Sequence, residues 1–258
     1  MTKYLTELYK RKDLLIYLVV SGLKAQYRNT YLGYAWWILD PLLMGLVYYF
    51  LRVIILEMEG DNIGAFLIIG LLSWKWFKST ITSSAKSISG KARIITQVYL
   101  PKAVFPLSVN FTQLINFSFG LIVVGFFLAA YRIIPGVEAL WLPFVMLVQF
   151  LFLSALAMFV AYFCMFIRDI DNVLTHITRL WFWSTPIIWE ANRLPEKFSF
   201  IVDYNPVSAF VISYRNILMY GESPQLEKLI LIGIASLFFT FFMLYYYNLN
   251  EHKIIRAL

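Results

Sequence analysis

The sequence predicts an all-α integral membrane protein. Six transmembrane helices are expected, with an N-terminal amphipathic interface helix and an outer re-entrant or interfacial helical region. Three observations lead there. Of 258 residues, 60% are hydrophobic and 14% charged, where a soluble domain is roughly half apolar and a quarter charged. Mean hydropathy is +0.70. The apolar residues also gather into runs near the ~20 residues that cross ~30 Å of hydrocarbon, and only helices satisfy their backbone polar groups in such single segments. Without an internal repeat or linker, residues 1–258 read as one domain. A cytoplasmic interface helix (1–34) leads into a six-helix membrane domain (35–247) and a cytoplasmic tail (248–258).

The elements follow in order. Lys10, Arg11 and Lys12 precede LLIYLVVSGL, which has the look of a short signal-peptide core. The run is too short to span, and it leads into Lys24 and Arg28 without a clear cleavage site. Leu15, Leu18, Val19, Gly22 and Leu23 recur at helical spacing. The expectation is a helix lying in the interface, its apolar stripe toward the acyl chains and its Lys and Arg toward phosphates. A join marked by Tyr27, Arg28, Gly33, Trp37, Asp40 and Pro41 then leads into the first span, 35–56. Pro41 falls in the first turns, where a missing N–H costs least. Asp40 is placed to cap exposed amides and meet the positive helix end, with a gating role left open.

The second span, 65–84, is the least clean. The third and fourth, 107–131 and 142–166, are long and nearly uncharged. The fifth, 173–189, is short and polar at its start, and the sixth, 229–247, is the most lipid-like. Between the fifth and sixth, VSAFVISYRNILMY has helical spacing after Pro206 but is too short and polar to cross. It reads as a re-entrant or interfacial helix on the outer face.

The net charge of +7 is read by position, as topology, before any affinity for nucleic acid. Basic residues crowd the N-terminal segment, the loop after the second span (Lys86, Lys91, Arg93, Lys102) and the tail (Lys253, Arg256). The opposite side has Glu57, Glu59 and Asp61 in its first loop. The positive-inside rule therefore places both termini in the cytoplasm, in agreement with an even span count.

Catalytic signals are poor. SISGKAR holds Gly90 and Lys91, but Ala85 and Ala92 stand where a phosphate loop needs Gly and Ser or Thr. His176 and Ser184 are eight residues apart, about 12 Å along a helix, with no orienting acid. Cys164, the lone cysteine, excludes an internal disulfide and reads as a small buried hydrophobe. The sequence points to no metal site or cofactor.

The odd feature is charge inside spans. Lys75, Lys78, Ser79, Thr82 and Lys86 form one polar stripe on the second span, with Arg52 in the first and His176 and Arg179 in the fifth. A charge at the bilayer centre costs about 2.5–3.5 kcal/mol on insertion scales. Snorkelling accounts for Lys86 and is open for Lys78 and Arg52; Lys75 is too central for it. A path lined with Lys and Arg suits an anion, above all phosphate. Tyr48, Tyr49, Trp74, Trp76, Trp181 and Trp183 share these segments, as sugar-stacking surfaces or as interfacial belts. KARIITQVYLPKAVFP, stopped by Pro101 and Pro106, reads as a short helix parallel to the membrane. It would be a docking site for a soluble partner or a basic loop held to anionic lipid.

Several segments resemble the polysaccharide-export permeases of the ABC-2 type. These are QYRNTYLGYAWWILDPLL, KARIITQVYLPKAVFPLS, CMFIRDIDNVL, WFWSTPIIW and DYNPVSAFVISYRNILMYG, reaching from Tyr27 to Gly221. Thr185-Pro186 stands where Ser-Pro is usual. The resemblance implies a non-catalytic homodimer in the bacterial cytoplasmic membrane, powered by two copies of a separate ATPase chain that holds ATP and Mg. A coupling segment would include Lys91, Arg93, Val98, Tyr99, Pro101, Lys102 and Pro106, with Arg168 and Asp169 on the same side. The cargo would be a polyprenyl-diphosphate-linked polymer, wall teichoic acid or an O-antigen-like polysaccharide, and the basic stripe tilts toward the phosphate-bearing teichoic acid. Tyr48, Tyr49, Arg52, Trp74, Lys75, Lys78, Thr82, His176, Arg179, Trp181 and Trp183 are the expected channel residues. An ABC-2 exporter of a drug or lipid, and a membrane-embedded transferase, are the rival readings.

Overall fold

The structure is a computed structural model that describes residues 2–27, 31–57, 60, 62–95, 100–167 and 169–257. Arg28, Val98, Tyr99 and Arg168 lie outside the described residues, as does the side chain of Tyr27. Among the described residues every regular element is helical. Helices α1 (Thr2–Lys10) and α2 (Lys12–Tyr27) precede α3 (Trp36–Tyr49), which continues as a π-turn over Phe50–Ile55. Next come α4 (Ile63–Ala85), the short α5 (Ala92–Ile95), α6 (Val104–Ala130), α7 (Leu142–Phe166) and α8 (Ile170–Ser184). The chain closes with α9 (Phe200–Asp203), α10 (Pro206–Arg215) and the long α11 (Leu226–Ala257).

Four helical stretches among the described residues are long and apolar enough to cross a membrane: Trp36–Ile55, Val104–Ala130, Val137–Phe166 and Leu226–Ile254. They correspond to the first, third, fourth and sixth expected spans. The other two take different forms. At 23 residues α4 is about 35 Å long, enough to cross, but its polar stripe keeps it off that set. It is the central helix, packed by α3, α6, α7, α8 and α10. Trp74, Trp76 and Phe77 are buried, and the exposed or half-exposed positions Lys75, Lys78, Ser79, Thr82 and Lys86 form the expected single stripe.

At 15 residues α8 rises only about 22 Å. It begins at Ile170 and stops at Ser184, so the helix is displaced from the expected 173–189. The cause is Pro186. The residue before a proline is pushed out of the helical region, and Thr185 is extended (φ −99°, ψ 136°). Thr185, Pro186, Ile187 and Ile188 continue as buried, non-helical chain.

The expectation for α2 needs correction. Its stripe does not face acyl chains. Leu18 and Val19 are buried, Leu18 in a cluster with Tyr4, Ile88 and Leu100, and Gly22 lies against Thr112 of α6. Ile16, Tyr17 and Val20 are the exposed apolar residues. The run is apolar on both sides, so periodicity could not choose the buried face.

Asp40 is not a cap either. A 3₁₀ turn at Gly33–Ala35 opens α3, Ala35 is its N-cap residue, and no side chain caps it. Asp40 and Pro41 are the fifth and sixth residues of the helix. Pro41 is buried and removes the N–H that would reach the Trp37 carbonyl; the Trp37 ring stacks on Phe119 at 4.0 Å.

In the outer region α10 lies within the bundle, against α4, α7 and α11. The Asn205 side chain accepts from the Val207 amide at 3.0 Å and Pro206 follows at N1, a complete helix start. The helix runs on as a π-turn, Asn216–Tyr220, ended by Gly221 at φ 63°. Both chain ends meet at one end of the bundle, where Tyr4 of α1 and Ile254 of α11 share a cluster with Ile88, Ile95 and Leu100.

Gly70 on α4 lies against the Arg215 guanidinium of α10. A Cβ there would lie 2.6 Å from Arg215 Nη2 and 3.3 Å from the Ile187 carbonyl oxygen. Overpacking of this kind costs about 1–3 kcal/mol. Gly70→Ala should lower the unfolding midpoint of detergent-purified protein by several degrees. Gly125→Ala, where a Cβ meets nothing within 4 Å, should leave it unchanged or raise it.

Candidate functional site

Five of the expected channel residues converge. Tyr48 of α3, Trp74 and Lys78 of α4, and Arg179 and Trp183 of α8 line one groove of 320 Å³, with Thr178 in its wall. That volume lies within the ~300–1,000 Å³ of small-molecule clefts. Helical phase explains the convergence. Trp74 and Lys78 are one turn apart on α4, as are Arg179 and Trp183 on α8, so each pair points to one side. Leu174, Thr178 and Phe182 fasten α8 by its buried stripe, and the Phe182 ring touches both Tyr48 and Trp74 at 5.4 Å. Among the described residues neither Lys78 nor Arg179 has an acidic partner. Two uncompensated cations between indole and phenol faces can hold a phosphate and stack a sugar ring beside it.

The other expected channel residues are elsewhere. Lys75 donates to Asp40 Oδ2 at 3.2 Å, so its charge is met by that carboxylate. Arg52 lies outside the groove lining. Its side chain is 1% exposed, and Nη2 donates to Glu190 Oε1 at 2.6 Å. Trp181 turns away from the groove, donating from Nε1 to Asn205 Oδ1 at 2.8 Å. It lines a separate, largely apolar hollow of 540 Å³ with Leu180, Phe200 and Tyr204. Thr82 donates to the Lys78 carbonyl, and His176 and Tyr49 are exposed outside the groove lining.

Arg215 is a residue the sequence does not single out, because it stands in VSAFVISYRNILMY, read as a re-entrant or interfacial helix on the outer face. It is 3% exposed. Nε and Nη2 donate to the Phe66 carbonyl (3.2 and 3.1 Å), Nη1 to that of Pro186 (2.5 Å) and Nη2 also to that of Ile187 (2.7 Å). Its guanidinium lies 3.3 Å from the centre of the Phe66 ring, and that of Arg52 lies 4.6 Å from the same ring. A signal existed in the ten-residue interval from Asn205 to Arg215, which is apolar or small except for Tyr214.

At the opposite end, Ser89, Gly90, Lys91 and Arg93 form an exposed tip between the buried Ile88 and Ile95. Among the described residues of the expected docking segment, Ala92–Ile95 is helical and α6 begins at Val104. Lys102 does not belong to that exposed surface. It is fully buried, 3.2 Å from Glu251, and Pro101 and Pro106 are buried beside it. Asp169 is exposed at the start of α8. The Asp171 carboxylate, 2.6 Å from Lys86, holds that ammonium's pKa above its ordinary value.

A family model described as ABC-2 type transporter matches residues 13–219. An O-antigen export system permease protein, RfbA, of Klebsiella pneumoniae is 32% identical over 210 residues, 81% of each chain. The protein of the same name from Myxococcus xanthus is 32% identical over 238 residues, 92% of each chain.

The burial of the two acid–base pairs predicts unequal costs. Glu190→Ala strands the buried Arg52 and should destabilise by about 3 kcal/mol. Asp40→Ala frees a quarter-exposed Lys75 and should cost less than about 1 kcal/mol. Unfolding midpoints of the two variants, measured side by side, check the order; equal losses would contradict it.

Proposed function

The chain belongs to the ABC-2 type transporter family, and from that premise we propose that it is the membrane permease of an ATP-driven polysaccharide exporter. The observation that carries the reading is the likeness to an O-antigen export permease over 92% of both chains. The cargo is an O-antigen-type polysaccharide on a polyprenyl diphosphate. Wall teichoic acid, favoured by the basic stripe, loses support because Asp40 neutralises Lys75. The remaining cations, Lys78 and Arg179, suffice for one phosphate group at a time, and Tyr48 and Trp183 offer faces for the sugars.

In this reading two copies form the passage and two copies of a separate ATPase, with ATP and Mg, dock at Lys91 and Arg93. Both chain ends lie in the cytoplasm of a bacterial cell. Six crossings are made by α3, α4, α6, α7, α8 and α11, with α8 completed by the buried chain at 185–188. The common location of α1 and the end of α11 supports an even number of crossings. Packing supports α4 as a crossing, because in lipid a helix with such a stripe must be surrounded by protein.

Two measurements test this. Purification from native membranes should recover an ATPase chain and a lipid-linked glycan. A Lys78→Gln/Arg179→Gln double variant should keep its membrane level and ATPase association while export falls about tenfold or more, as expected when two charge-assisted contacts to one phosphate are removed. Full export by the double variant would remove the groove from the pathway. Recovery of a drug or free lipid instead of a glycan would change the cargo.

A further inference from the structure

Lys102 stands in the turn between α5 and α6, and Glu251 in the last turns of α11. Their charged groups are 3.2 Å apart, with Lys102 fully buried and Glu251 12% exposed. Beside them the Ala103 amide donates to the Tyr4 hydroxyl at 3.4 Å, and the Tyr247 hydroxyl donates to the Met158 carbonyl of α7 at 2.9 Å. Ile88, Ile95, Leu100 and Ile254 pack into the same cluster. The loop between α4 and α6, α1, the end of α7 and the end of α11 are thus one body, whose exposed tip is Ser89–Lys91 with Arg93 beyond it.

We propose that the Lys102–Glu251 pair is a transmission strut that makes this loop and α11 move together when the tip is pushed. The proposal rests on the reading above, in which an ATPase docks at the tip. The loop is joined covalently to α4 and α6, and neither connection reaches α11. The ion pair does, beside the non-directional apolar packing of Ile88, Ile95 and Leu100 with Ile254, and α11 has its most extensive packing with α7. By contrast α8, which supplies Arg179 and Trp183 to the groove, meets α4 and only lightly α7. A push at the tip is therefore shared by α11 and α7, while α8 lies off that path. The pair's chemistry fits a positioning role better than a stabilising one. Burying two charges gains little stability over a well-packed apolar pair of similar volume, but it imposes one register.

The test uses the full permease–ATPase complex in vesicles. Removing one partner strands a buried charge and threatens the fold, so both partners are changed together. Lys102→Met/Glu251→Met keeps the volume and should keep the unfolding midpoint, ATPase association and ATP hydrolysis. Polymer exported per ATP hydrolysed should fall at least fivefold. Lys102→Glu/Glu251→Lys restores a pair of opposite charges and should recover that ratio to within twofold. Spin labels at Gly90 and His252, both exposed, should hold one narrow distance with and without ATP in the wild type and a broadened one in the apolar pair. A wild-type export ratio or an unbroadened distance in the apolar pair would overturn the strut. So would loss of hydrolysis together with export, which would place the pair in partner binding. A wild-type complex with no ATP-driven export would count against the export reading instead, while the label distances still decide the strut.

Discussion

Hydrocarbon offers no hydrogen-bond partner, so the break in the chain after α8 must be satisfied from inside the protein. Arg215 does this. One side chain supplies donors to Pro186 and Ile187 in the break and to Phe66 at the start of α4. A second polar cluster closes the other side. Thr185 Oγ1 donates to the Trp181 carbonyl and accepts from Asn205 Nδ2, while Asn205 Oδ1 accepts from Trp181 Nε1 and the Val207 amide. Asn205 and Arg215 lie at the two ends of α10, so one short buried helix holds the break from both ends. Its backbone is in turn covered by α4, α7 and α11, and Gly70 provides the space for the guanidinium. With the break secured, α8 can end at Ser184 and still deliver Arg179 and Trp183 to the groove.

The charged residues sort by the same logic. Arg52, Lys75 and Lys102 each meet an acid supplied by another part of the chain: Glu190, Asp40 and Glu251. Lys86, at the exposed end of α4, meets Asp171. Stranding a buried charge by removing its partner costs about 3–5 kcal/mol, and the fold avoids that cost for the buried Arg52 and Lys102 by pairing. Lys78 and Arg179 are treated differently. They come from two helices, share one groove with aromatic faces, and have no acid beside them among the described residues. Their positive field is left for something other than the protein to meet.

Local pattern was enough to read the long apolar helices, the polar stripe of α4 and the start of α10. The fourth span was legible to the residue, because Pro143 opens it and its apolar run ends at Phe166. What stayed hidden depends on distance along the chain. Lys75 and Asp40 are 35 residues apart, and Arg52 and Glu190 are 138. No periodicity announces such pairs, so Arg52 and Lys75 looked like free cations and Asp40 like a cap. The buried face of α2 was illegible for a different reason, since LLIYLVV offers apolar surface all round and only the position of α6 decides which side is covered. Pro186 was visible, but the donor its break would need was not.

The groove's two walls differ in how firmly they are held. One is α4, buried among five helices and tied by Trp76 Nε1 and Thr80 Oγ1 to Asn110, which also donates to Ser154 and the Phe150 carbonyl of α7. The other is α8, attached through the stripe Leu174, Thr178 and Phe182 and exposed at Val173, Ile177, Leu180 and Trp183. Elements with few buried contacts are those that open at low free-energy cost. Leu174 and Phe182 belong to the core cluster, so α8 is bound to the core along one stripe while its remaining faces are free of it. Beyond Ser184 helical continuity is lost over 185–188, where Arg215 anchors the chain. The interaction that lets α8 end early thus also fixes the helix that supplies Arg179 and Trp183, so one groove wall is held by five helices and the other by a single stripe and a buried arginine.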